Sequence, residues 1–170
     1  METAVRLLIA LPVLVVALLA LPGCPPTTCQ ADDEATIELG HGISSAFARY
    51  TDGQTVTIER ASQGGWGFPI LIRSVGLEAG ADVDAAVVMR TVLEGTETGF
   101  WNQFTKLTCD ADGGRTPSTL HVGFDPEEYG TLDDFNFLVG EQIDLDVTLT
   151  DPSGNTAEVV QTVTLALGAE

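Results

Sequence analysis

Apolar and polar residues alternate with a period of two along most of this chain, and the alternation is strictest near its C-terminus. Ile143, Leu145, Val147 and Leu149 are interleaved with Asp144, Asp146 and Thr148. A turn follows at Asp151, Pro152, Ser153, Gly154 and Asn155, after which Val159, Val163, Leu165 and Leu167 return. Successive side chains of a strand point to opposite faces, so this spacing predicts a hairpin with one buried and one wet face. Val56 and Ile58, set among Thr55, Thr57 and Glu59, predict another half-buried strand. Trp66 to Leu77 is apolar with little relief and predicts a central strand packed on both faces. Further strands are predicted over Ile37 and Leu39, from Ala46 to Tyr50, from Val83 to Leu93, from Phe100 to Thr108 and over Leu120, Val122 and Phe124, with Phe100, Trp101 and Phe104 assigned to the core. Asp52-Gly53 reads as a hairpin-type turn. Asp125 to Phe137 is acidic and irregular, and it predicts a crossover between sheets with a helical turn in it. The total, about eight or nine strands at sandwich-like spacing, predicts an all-β fold of two packed antiparallel sheets, with a barrel or jelly roll as the alternative.

The opening of the chain does not share this pattern. Arg6 is followed by a nearly unbroken apolar run from Leu7 to Leu21. That run is shorter than the ~20 residues a helix needs to span a bilayer, and it suits the helical apolar region of a secretory signal. Residues 1–23 are therefore assigned to a signal peptide, residues 24–35 to a tether and residues 36–170 to one β-domain. Pro25, Pro26, Thr27 and Thr28 give the tether an extended, poorly packing start.

Leu21, Pro22, Gly23 and Cys24 at the end of the apolar run resemble the bacterial lipobox. Pro22 stands where a small or hydroxylated residue is usual in that motif. The resemblance implies cleavage before Cys24, acylation of that cysteine and attachment to a membrane of the cell envelope. Proline rather than aspartate after the cysteine implies the outer membrane. Two or more acyl chains hold a protein stably, at ~0.8 kcal/mol per buried methylene. With Cys24 acylated, Cys29 and Cys109 are left as an even pair in an oxidising compartment, where a disulfide is expected; the alternative is two thiols that never meet.

The Thr150-Asp151 pair, the Gly154-Asn155 turn and the Thr156-Ala157 restart resemble the closing hairpin of bacterial immunoglobulin-like domains. That implies an immunoglobulin-like sandwich and nothing about a ligand. Gly40, Gly42, Phe47, Asp52-Gly53 and Gln63-Gly64-Gly65 before an aromatic residue are similar to the layout of myxobacterial-type lipoproteins. Trp66, Gly67 and Phe68 stand where that group often has a histidine, so no ligand role for a histidine carries over, and the group implies no activity.

Charge narrows the function classes. Seven basic residues face 25 acidic ones, for a formal net charge of -18, and the arginines and lysine are scattered singly. Nucleic-acid binding needs clustered cations to displace counterions and is excluded. Candidate chemistry is sparse. His41 and His121 are the two histidines, neither in a zinc-protease spacing, and no Gly-x-Ser-x-Gly elbow is present. Asp110-Ala111-Asp112-Gly113-Gly114 could curl around calcium, with Asp125 or Glu127 completing the donors; an ordinary turn has the same composition. Gln63, Gly64, Gly65 and Trp66 form the candidate binding segment, because glycines let a backbone approach a ligand beside an aromatic ring. The expectation is a non-enzymatic module without a resident cofactor, binding a protein or a glycan. A calcium-stabilised structural or adhesion domain and a carboxylate-dependent hydrolase are the alternatives.

Overall fold

The computed structural model describes residues 34–43, 45–61, 64–80, 83–110 and 112–168. The signal peptide, Cys24, Cys29, most of the tether and Gln63 lie outside the described residues.

Eleven strands make up the described chain: β1 (Thr36–Ile43), β2 (Ala46–Arg49), β3 (Gln54–Arg60), β4 (Trp66–Val75), β5 (Asp84–Leu93), β6 (Thr96–Lys106), β7 (Thr108–Asp110), β8 (Gly113–Arg115), β9 (Leu120–Gly123), β10 (Gln142–Thr150) and β11 (Thr156–Leu167). One layer runs β3-β11-β10-β5-β6, and the other runs β2-β1-β4 with β8 and β9 both paired to the far side of β4 and β7 paired to β8. β3 belongs to both layers, because its last two residues, Glu59 and Arg60, also pair with Gly67 and Trp66 of β4.

The all-β, two-layer expectation holds, with three corrections. The strands outnumber the eight or nine expected because the strand begun at Phe100 bends at buried Leu107 and the Asp110–Gly114 segment forms a small hairpin of its own, β7 with β8. The sheets are not wholly antiparallel: β3 pairs parallel with β11, residues 54–58 against 163–167. For the same reason Asp52-Gly53 closes no hairpin, since β2 pairs with β1 whereas β3 pairs with β11, and the turn hands the chain from one layer to the other. Thirdly, the aromatic residues of β6 are not core residues. Phe100, Trp101 and Phe104 are 51%, 40% and 77% exposed, because β6 is the last strand of its layer and the opposite layer reaches it only near Gly99, at Gly123.

The core lies between the layers and follows the alternation closely. Ile143, Leu145, Val147 and Leu149 of β10 face Phe68, Ile70 and Ile72 of β4 within one buried cluster. The irregular stretch carries a 3-10 turn at Leu132–Phe135, and Phe135 is fully buried. Its ring meets Phe124 edge-on at 5.0 Å and Tyr129 at 5.4 Å. This aromatic group plugs one end of the sandwich, contributing apolar burial at about 25 cal/mol per Å².

Candidate functional site

On the β6 side the two layers approach each other closely where glycine replaces side chains. A Cβ on Gly99 would overlap the Gly123 carbonyl, and the Trp101 ring lies over Gly123, 3.3 Å from where a Cβ would stand. From that point β6 and β9 diverge, and the gap between them is a cleft of about 770 Å³. A volume of this order is usual for ligand sites, which combine apolar walls with a few placed polar groups.

Trp101 forms one wall, and its Nε1 donates to Gln103 Oε1 at 3.3 Å, which orients both side chains. Trp66 forms the other, held from behind by Phe135 at 6.2 Å. The Gly64-Gly65 turn beside Trp66 has φ values of 93° and 79°, the left-handed region that favours glycine, and a Cβ at either position would meet nothing within 4 Å. The backbone there is bare toward the cleft.

His121 and Lys106 supply the titratable groups of the lining. His121 Nε2 is enclosed without a hydrogen-bond partner, and Glu59 Oε1 stands 4.0 Å away. The ring therefore borders the cleft without presenting that nitrogen to it. Lys106 is held by Asp84 at 3.1 Å.

Gly64, Gly65 and Trp66, chosen from the sequence, thus line the cleft, while Trp101, Gln103, Phe104 and His121 were not selected as site residues. The signal that marks the three on β6 is the charge-free, aromatic-rich run from Phe100 to Thr105, which reads as core until its strand is known to be an edge; nothing in the sequence marks His121.

The calcium candidates are placed elsewhere and engaged otherwise. Asp110 pairs with Arg115 at 3.2 Å and Asp112 with Arg73 at 3.6 Å, and Asp110 Oδ1 also accepts the Asp112 N–H. Asp125 closes a separate turn, its Oδ1 accepting the Glu127 N–H at 2.9 Å. Among the described residues no three His, Cys, Asp or Glu side chains converge as metal donors. Cys109 is disulfide-bonded, and its sulfur lies 3.0 Å from the Ala79 carbonyl oxygen. The cysteines able to pair with it, Cys24 and Cys29, are outside the described residues. His41, the other histidine, faces Gln54 Nε2 at 3.1 Å and is a structural contact between β1 and β3.

No family model matches this sequence, and no curated protein matches it.

Proposed function

We propose that this chain is a lipoprotein of the bacterial cell envelope, held to the outer membrane through acyl chains on Cys24, whose sandwich is a non-enzymatic module that binds a protein or glycan ligand in the β6–β9 cleft. The observation that carries the ligand site is the pair of tryptophans, Trp66 and Trp101, both lining a cleft of about 770 Å³, with Gln103 held beside Trp101. Flat aromatic walls give contact area at low entropy cost, and the polar groups supply direction. The sandwich reads as immunoglobulin-like. β1, β4, the broken strand β8–β9 and β7 take the order A-B-E-D, and β5, β10 and β11 take C-F-G. β3 continues the opening strand onto the final one, and β6 extends the second sheet past C.

The ligand site is tested by titrating the full chain with neutral oligosaccharides and with short synthetic peptides while following tryptophan fluorescence. A saturable change with one of these classes, lost in Trp101→Ala, is expected. No saturable change with either class would sink the reading. The anchor is tested separately by metabolic labelling with a fatty acid: label and membrane association are expected to disappear together in Cys24→Ser. Retention of both would reject acylation at Cys24.

A further inference from the structure

We infer that β6 pairs antiparallel with β6 of a second copy of this chain, joining two sandwiches through one continuous sheet. β6 ends its layer, and among the described residues its stretch from Phe100 to Lys106 makes backbone ladder bonds to β5 only. An edge strand leaves a row of N–H and C=O groups open to another strand, and proteins that stay monomeric blunt such edges with prolines, bulges or charges. Phe100 to Thr105 has none of these. It holds six uncharged residues in regular register with β5, the one irregularity lying further back, between Thr91 and Val92 opposite Gly99 and Glu97. At that end the edge is already used, since Thr98 O accepts the Asp125 N–H at 2.9 Å. The open part is therefore long enough for a strand pair and bounded.

Charge favours a second copy over other occupants of the edge. The chain carries a net -18, yet the edge is locally balanced: Arg90 pairs with Glu97 and Lys106 with Asp84 across β5 and β6. The acidity that would keep two copies apart elsewhere is neutralised here. Two-fold antiparallel pairing about Asn102 sets Phe100 of each strand opposite Phe104 of the other, both within the open stretch, so the edge is self-complementary, as a two-fold interface requires. Phe104, 77% exposed, and Phe100, 51% exposed, then acquire cross-strand neighbours. The same stretch of β6 borders the cleft, but the trap needs no added ligand and the ligand titration needs no dimer, so failure of the ligand site and failure of the pairing are distinguishable.

The test is disulfide trapping in cells producing the full chain with one added cysteine. Asn102→Cys places a thiol beside the two-fold axis, where paired strands bring Cα atoms to about 5 Å, within disulfide reach. Asn155→Cys, on the exposed β10–β11 turn, reports random collision. Asn102→Cys is expected to give a species of twice the chain mass on non-reducing gels, at least about fivefold above Asn155→Cys, and adding Phe104→Lys is expected to reduce it about tenfold. Equal trapping at the two positions overturns the proposal. So does an adduct at Asn102→Cys of any other mass, which would mean that a different protein pairs with this edge. Sedimentation of the unmodified full chain in density-matched detergent supplies a second reading: a dimer that Phe104→Lys dissociates is expected, and a monomer at all concentrations is incompatible with it.

Discussion

Asp151 is a carboxylate only 4% exposed, kept there by backbone and amide donors. Its Oδ2 accepts the Glu78 N–H at 2.9 Å and the Asn155 side-chain amide at 3.1 Å, and its Oδ1 accepts the Asn155 N–H at 2.9 Å. Burial pushes its pKa up, and the bonds from Glu78, Asn155 and the Ser153 backbone more than offset that, so it sits below the ordinary carboxylate value. A folded-state pKa below the unfolded one stabilises the fold at pH values above the unfolded pKa, near 3.8, and that contribution is lost as pH falls through the folded pKa. Asp151→Ala strands these donors and is expected to cost about 1–3 kcal/mol in urea denaturation at neutral pH. Below pH 4 the wild-type melting temperature should fall more steeply than that of Asp151→Asn; parallel curves would mean that Asp151 is not the titrating clamp. Gly67 is a second residue whose identity is set by its neighbours, because a Cβ there would overlap the Val122 carbonyl across the β4–β9 pair. Gly67→Ala is expected to lower stability by about 1–3 kcal/mol.

β10 and β6 show what a hydrophobic pattern carries at the level of a strand. In β10 the four apolar residues take one face and all are buried, so alternation alone identified strand, face and hairpin partner. β4 was legible as a strand from its near-continuous apolar run, but only one face is fully covered: Phe68, Ile70 and Ile72 enter the core, whereas Pro69, Arg73 and Val75 on the other face are half-buried. In β6 the aromatics fall on both faces, and whether a face is covered depends on the strand's rank in the sheet, which its own residues do not encode. The half of the site at Gly64–Trp66 was legible from glycines beside an aromatic; the half at Trp101 and His121 depended on two edges diverging. Denaturation should separate these cases. Leu145→Ala removes a fully buried side chain and is expected to cost about 2–5 kcal/mol. Phe104→Ala, at a residue 77% exposed, should stay within about 0.5 kcal/mol of wild type when both are measured as monomers at high dilution.

At the scale of the whole molecule, the bond at Cys109 fastens the short β7–β8 hairpin to a partner cysteine outside the described residues. Cys109→Ser is expected to lower stability by about 2–4 kcal/mol, with Cys29→Ser matching it and Cys24→Ser leaving it unchanged. A match to Cys24→Ser instead would contradict acylation there. Millimolar calcium should leave the melting temperature unmoved, because Asp110 and Asp112 already bind arginines; a rise of several degrees would revive the metal reading. The parallel seam between residues 54–58 and 163–167 constrains assembly in time as well as space. β3 waits for β11, more than a hundred residues later, so a polypeptide still being synthesised lacks the piece that closes its second layer until residue 167 has emerged. Collapse into the finished shape is thereby deferred until β11 has been delivered, and truncation before β11 should leave a protease-sensitive product rather than a smaller stable one.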